Sequence, residues 1–348
     1  MPEVSSPPRR LPAEWEPQSA VQLTFPHAHS DWADMLDEVL PCFSAIASAI
    51  GRYQNVLVVC SDEASARPWL REVPPERLLV AEIPSNDTWA RDHGGITIWE
   101  GERPVVLDFI FSGWGLKFPA HLDNRITRRL WECGFLHAEH RYVGLLLEGG
   151  GIESDGQGTL LTTTECLLSP NRHPHLTREQ LEAQLCEHFG AQRVLWLEHG
   201  HLAGDDTDAH IDTLARFCSA DTIAYVHCPD PKDEHYEPLL AMERQLQQWA
   251  TADGTPYRLV RLPWPEACYA ADGHRLPATY ANFLIINGAV LVPTYRVPQD
   301  DEALACFQAL FPDRDIIGID CRPLIEQHGS LHCVTMQYPP SVVGAPIR

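Results

Sequence analysis

The feature that most restricts this chain is a unit that recurs five times: an amphipathic helix, a short apolar strand, a loop, then a second β-rich segment. Apolar residues at helical spacing mark 31–50, where Leu36, Val39, Leu40, Phe43, Ala47 and Ile50 share one side and Pro41 predicts a kink. Segment 122–133 is a weaker case. Segment 177–189 opens on a capping box of Thr177 with Gln180 and stops at Gly190, and 238–250 and 300–311 complete the set. Each helix is followed by an apolar run, at 56–60, 142–147, 194–197, 257–262 and 316–319. The second β-rich segments are 95–99, 159–163, 222–226, 289–295 and 331–337.

A unit of two or three strands and one helix cannot bury both faces of its sheet alone. Five such units are most stable closed around an axis with the helices outside, and closure brings loops from every unit together at that axis. The competing arrangement is an ordinary two-domain α/β protein in which the alternation carries no such meaning. The expectation is therefore an α/β fold closed as a five-bladed, pseudo-fivefold propeller, a single domain over 1–348.

Charge narrows the ligands. The 48 acidic against 26 basic residues give a formal charge of -22, which repels phosphate backbones and anionic lipid and favours small cations. No nucleic-acid or membrane partner is expected. No apolar run reaches the ~18 residues of a membrane helix, and the start of the chain has no apolar core after its two arginines, so the chain reads as cytoplasmic. Eleven scattered cysteines, an odd number with no CxxC pair, argue against a disulfide framework and a zinc ribbon.

Four polar clusters fall at junctions of the repeat. They are Asn86-Asp87-Thr88-Trp89-Ala90-Arg91-Asp92 before the second segment of unit one, Glu148 with three glycines after the first strand of unit two, His199 to Asp212 between the strands of unit three, and His332-Cys333 within the last strand. The third holds three histidines and four aspartates among fourteen residues, which repel one another unless a cation shares the site. That cation is either a metal, held by the His199/His201/His210 cluster of a metal-dependent hydrolase, or an organic one. A planar guanidinium has five donors in a fixed fork that two carboxylates, such as Asp92 and Asp212, can grip from opposite sides. A thiolate such as Cys333 could then attack its carbon, with His210 carrying protons.

Several runs resemble the agmatine deiminase family, of the bacterial-type peptidylarginine deiminase group in the guanidine-modifying pentein superfamily. They are Asn86-Asp87-x-Trp89-x-Arg91-Asp92-x-Gly94, Glu148-Gly-Gly-Gly151 with Asp155-Gly156-x-Gly158-Thr159, the block from Gly204 to Thr213, Tyr280-Ala-Asn-Phe283 with Asn287-Gly288, and Gly329-Ser-Leu-His-Cys333-Val-Thr. The resemblance runs in order from about Leu11 to Pro339. It implies the pentein propeller, with Cys333 as nucleophile, His210 as general acid and base, and Asp92 and Asp212 as the guanidinium clamp. Trp89 matches an aromatic lining the substrate channel, and Glu148, Asp206 and Asp87 are candidates for the distal end of the substrate. The implied reaction is agmatine and water to N-carbamoylputrescine and ammonia, in polyamine (putrescine) synthesis, with no metal or other cofactor and a homodimer as the suggested assembly. Arginine or C-terminal peptidyl-arginine is the alternative substrate, and a propeller serving only as a binding scaffold the non-catalytic reading. Departures from the family pattern fall at His328-Gly329-Ser330-Leu331, at Ala209 where glycine is commoner, and at Gly95 where proline often stands. None removes a chemical group from the mechanism. With two carboxylates nearby, the cysteine is expected to rest as a thiol and ionise when the cation arrives.

Overall fold

The computed structural model describes residues 7–346. All five helices form: α1 (Leu36–Gly51), α2 (Ile126–Glu132), α3 (Arg178–Phe189), α4 (Tyr236–Leu246) and α5 (Asp300–Leu310). Helix α3 has the expected capping box at Thr177 and ends on Gly190, whose φ of 67° and position 1.9 Å from the Arg9 carbonyl oxygen, measured from a notional Cβ, leave no room for a side chain. Helix α1 starts five residues later than its pattern predicts, because 31–35 is taken up by a turn and a short 3-10 segment.

Each helix is the crossover between two parallel strands, the connection that parallel pairing requires. The pairs are Ala20–Thr24 with Asn55–Cys60 across α1, Arg103–Ile110 with Glu139–Leu146 across α2, Thr159–Thr163 with Arg193–Leu197 across α3, Thr222–Val226 with Arg258–Leu262 across α4, and Ala289–Thr294 with Asp315–Asp320 across α5. The leading strand of each pair also takes an antiparallel neighbour: Thr335–Tyr338, Ile96–Glu100, Ile152–Ser154, Ala215–Ser219 and Leu284–Ile286 respectively. The result is five small mixed sheets. In the first, the last strand of the chain pairs with its beginning, Thr335 opposite Leu23, so the two ends of the chain close one sheet.

Two expectations change. A strand after a helix pairs with the strand before that helix, so the true unit is offset from the one read along the sequence. And 331–337 is not strand throughout: pairing starts at Thr335, and His332-Cys333 lies on the turn before it. A turn frees both side chains from the strict alternation of a sheet and lets them point to different partners.

The sheets separate two apolar cores. Along Asn55–Cys60, Val56 and Val58 join the core of α1 with Phe43 and Ile46, while Leu57 and Val59 face the other core with Ala90, Met336 and Tyr338. This is period-2 alternation with both faces apolar, the pattern of a fully covered strand. All eleven cysteines are unpaired. Among the described residues no helix is long and apolar enough to cross a membrane.

Candidate active site

Asp92 sits on a single helical turn, Ala90–His93, that follows the irregular Asn86–Trp89 run. The turn is tied to the end of the chain by the Arg91 backbone N–H, which donates to the Cys333 carbonyl at 3.1 Å. Both carboxylate oxygens of Asp92 are fixed: Oδ1 accepts the Gly150 backbone N–H and Oδ2 the Trp114 indole N–H, each at 3.0 Å. The glycine run after Glu148 has a steric reason here. A Cβ on Gly150 would lie 2.6 Å from Nδ1 of His210, 2.9 Å from Asp92 Oδ1 and 3.1 Å from Asp212 Oδ2.

His210 follows two residues held in the left-handed region, Asp208 (φ 65°) and Ala209 (φ 58°). Asp205 pins this turn by accepting the Ala209 N–H at 2.7 Å and the Thr207 hydroxyl at 2.6 Å, while Arg172 donates to Thr207 O at 2.9 Å and to Asp208. Ala209 stands where the resemblance expects glycine, and its positive φ supplies the physical reason. Trp114, Leu116 and His328 also have positive φ, so unfavourable backbone is concentrated in the loops around this site. Asp212 comes two residues after His210, on the 3-10 turn Ile211–Thr213.

Cys333 is 3% exposed. Asn282, from the Tyr280-Ala-Asn-Phe283 run, holds it from two directions: its side-chain oxygen accepts the His332 and Cys333 backbone N–H groups at 2.8 and 3.3 Å, and its amide donates to Sγ at 3.2 Å. Sγ lies 3.7 Å from Oδ2 of Asp212, and Oδ2 also accepts a 2.7 Å bond from the His332 ring. The structure therefore brings Cys333, His210, Asp92 and Asp212 into one buried cluster from three distant segments.

The cluster is left chemically open. Both ring nitrogens of His210 and Oδ1 of Asp212 are buried without a hydrogen-bond partner. Buried polar atoms are normally satisfied, so these three are open to a further partner; of the four cluster residues, Asp92 and Cys333 line the adjoining pocket. Burial raises the Asp92 carboxyl to about 6 even though His210 opposes it, whereas the His332 ring holds Asp212 low against the cost of burial. Burial disfavours imidazolium at His210, but Asp92 and the neighbouring Cys166 and Glu148 override it and raise His210 well above its ordinary value. Burial, Asp212 and Asp92 all push the Cys333 thiol well up. These shifts favour a neutral thiol at Cys333 and a protonated ring at His210.

The cluster opens into a pocket of about 370 Å³, solvent at its mouth included. Among the described residues four aspartates line it, Asp31, Asp87, Asp92 and Asp206, with His328 as the only potentially basic side chain and no lysine or arginine. Trp89 lines it too, 5% exposed and packed between Trp32 and Trp114, with Gly329 so close that a Cβ there would meet the Trp89 ring at 2.1 Å. Trp89 is thus both core and wall. Asp87 and Asp206 lie on the pocket as expected, but Glu148 does not. It sits behind His210, with both carboxylate oxygens taken by Nε of Arg172 at 3.0 and 2.9 Å.

The histidine cluster of the metal alternative does not assemble. His199 and His201 are exposed while His210 is fully buried, and among the described residues the one group able to share an ion is Glu148, Cys166 and His210. The Arg172 guanidinium already occupies Glu148, which sets a positive charge beside any ion placed there. Sequence reasoning gave no role to Asn282, Trp114, Arg172, Cys166 or Glu14. Asn282 lies in a run that carries the resemblance, but the other four reach the site only through the tertiary fold.

The chain aligns over nearly its whole length with proteins of known class. An agmatine deiminase of Stutzerimonas stutzeri (strain A1501) is 33% identical over 354 residues, covering 94% of this chain and 95% of its own. The crystal structure of a protein from Porphyromonas gingivalis, provisionally named an arginine deiminase, is 56% identical with a TM-score of 0.92, covering 97% of this chain and all of that one. The Campylobacter jejuni agmatine deiminase, solved with substrate bound, is 38% identical with a TM-score of 0.89, covering 95% and 96%. Fold and matches together define a guanidino-group deiminase, a hydrolase of C–N bonds. Residues 10–339 match the model of the Porphyromonas-type peptidyl-arginine deiminases, and the chain belongs to that family.

Proposed function

We propose that this enzyme deiminates agmatine, giving N-carbamoylputrescine and ammonia, from a site on the axis of a five-bladed pentein propeller formed by the whole chain. The observation that carries the substrate is the pocket lining: among the described residues, four aspartates and no lysine or arginine. Such a wall attracts a molecule with a cation at each end and repels the carboxylate of arginine or of a peptide terminus. Asp206 is the candidate for the distal ammonium. Among the described residues no side-chain hydrogen bond engages its carboxylate, whereas Asp87 already accepts the Trp32 indole N–H at 3.0 Å.

In this reading the guanidinium donates to the free Oδ1 of Asp212 and to remaining lone pairs of Asp92. The Cys333 thiolate bonds to the guanidinium carbon. His210 gives a proton to the departing nitrogen, the C–N bond breaks, and ammonia leaves a covalent S-alkylthiouronium. His210 then takes one proton from water as the water oxygen bonds to the same carbon, and the C–S bond breaks as the remaining hydroxyl proton passes to solvent, releasing the ureido product and the thiolate. The chain's own residues suffice for each step.

Free arginine is the second reading, because the 56%-identical Porphyromonas protein carries that name. Ammonia release measured with agmatine, arginine and arginine-terminated peptides separates the two. Agmatine should exceed arginine by about a hundredfold or more in kcat/KM, the effect of one mispaired charge. Asp206→Asn should raise KM for agmatine but not for a guanidine that lacks the distal amine. Equal or better turnover of arginine would overturn the agmatine reading.

A further inference from the structure

We propose that Glu14, His332 and Asp212 form a proton path between Cys333 and a second cavity behind the site, with Glu14 and His332 as positioning residues for the reaction. The inference rests on Cys333 as the nucleophile. Nε2 of His332 lies 2.6 Å from Oε2 of Glu14, and Nδ1 lies 2.7 Å from Oδ2 of Asp212, the oxygen 3.7 Å from Cys333 Sγ. All four side chains are at most 8% exposed.

The two short bonds fix a proton count. A neutral imidazole has one N–H, so with two carboxylates one ring lone pair would face an oxygen lone pair at hydrogen-bond distance. The three groups therefore hold two protons between them, either as an imidazolium between two carboxylates or as a neutral ring with one carboxylic acid. The surroundings leave the ring below its ordinary value. Arg216, 3.0 Å from Glu14 Oε2, and Arg91, 3.6 Å from it, join burial in pressing the ring toward neutrality. Glu14 and Asp212 press it the other way. Glu153 shares Arg216 with Glu14, and Asp92 and His210 face the array from the substrate side.

Glu14 opens onto a cavity of about 650 Å³, its mouth included, which has no lining residue in common with the substrate pocket. Glu16, Glu153, Gln18, Thr97 and Gln337 set polar groups into a largely apolar wall, and the side-chain oxygens of Thr97 and Gln337 have no protein partner, so the cavity can take up water. When the substrate cation enters, the Cys333 S–H bond breaks and its proton bonds to Oδ2 of Asp212, leaving Oδ1 to accept from the guanidinium. The His332 Nε2–H bond breaks, and that proton bonds to Glu14, whose carboxyl then donates back to Nε2 from the wall of the second cavity. No electrons are transferred: the three groups take up the cysteine proton and lose their net negative charge, and the thiolate so formed faces the bound cation. His210 keeps its proton for the leaving ammonia.

Glu14→Gln preserves size and an oxygen for the Ile285 backbone N–H but cannot carry the proton. It should lower kcat at pH 7 by about ten- to a hundredfold with KM for agmatine within about threefold. Its kcat should climb about tenfold per pH unit where the parent enzyme is flat, and Glu14→Asp should recover part of the loss. An unchanged kcat and pH profile, or a change in KM alone, would overturn the path. If Glu14→Gln fails to fold, kcat of the unmodified enzyme in H2O/D2O mixtures decides: a bowed dependence, with more than one proton in flight, supports it and a linear one overturns it. Turnover that survives Cys333→Ala would instead defeat the nucleophile reading itself, whereas a dead Cys333→Ala beside an unaffected Glu14→Gln defeats only the proton path.

Discussion

Nδ1 of His210 lies 3.7 Å from Oδ1 of Asp92, with the Cα of Gly150 packed against both and neither ring nitrogen hydrogen-bonded. A buried imidazolium that leans on a carboxylate without bonding to it is free to aim its protons at a third group. The same carboxylate is locked by Gly150 N–H and Trp114 Nε1–H, so it cannot swing across to close the gap.

Gly150→Ala tests that geometry. Its Cβ would meet His210 and Asp92 inside van der Waals distance, so one of the two must move. Ammonia release should fall at least about a hundredfold, as expected for an ångström-scale misplacement, and thermal unfolding should report a loss of about 1–3 kcal/mol from overpacking.

Ala209→Gly should act in the opposite sense on stability. The backbone there has φ 58°, which glycine adopts without strain. A gain of about 0.5–1 kcal/mol, seen as a melting temperature higher by about 1–2 °C, is expected, with activity within about twofold.

The parts of this molecule that local pattern controls were readable beforehand, and the parts that tertiary closure controls were not. The five helical stripes, the strands after them and the spacing of His210 and Asp212 belong to single segments. Strand Ala20–Thr24 escaped notice because five residues with an internal Gln22 give little period-2 signal, and Arg103–Ile110 because it opens on Arg103 and Pro104. The run 331–337 looked like one strand because Val334, Thr335 and their apolar neighbours make it β-rich, yet the chain turns through His332-Cys333. Glu14 meets His332 across 318 positions of sequence, and nothing in Pro12-Ala13-Glu14-Trp15 announces a buried carboxylate.

The resting state of the sulfur has a pH signature. Burial and the carboxylates Asp212 and Asp92 favour the neutral thiol, so its titration lies well above the ordinary value and the thiolate is scarce at pH 7. Iodoacetamide labelling of Cys333 without substrate should be slow at pH 7 and rise about tenfold per pH unit, since only the thiolate reacts. A labelling rate that is already fast and flat from pH 6 to 8 would mean a preformed thiolate ion pair.

The central claim is that Cys333 bonds to the carbon of a guanidinium held by Asp92 and Asp212. Ammonia release by Cys333→Ala, measured beside agmatine binding by calorimetry on the same preparation, tests it most directly. Turnover lost to background with binding kept within about tenfold is the predicted result, because binding rests on the carboxylates and chemistry on the sulfur. Turnover within tenfold of the parent enzyme would contradict it.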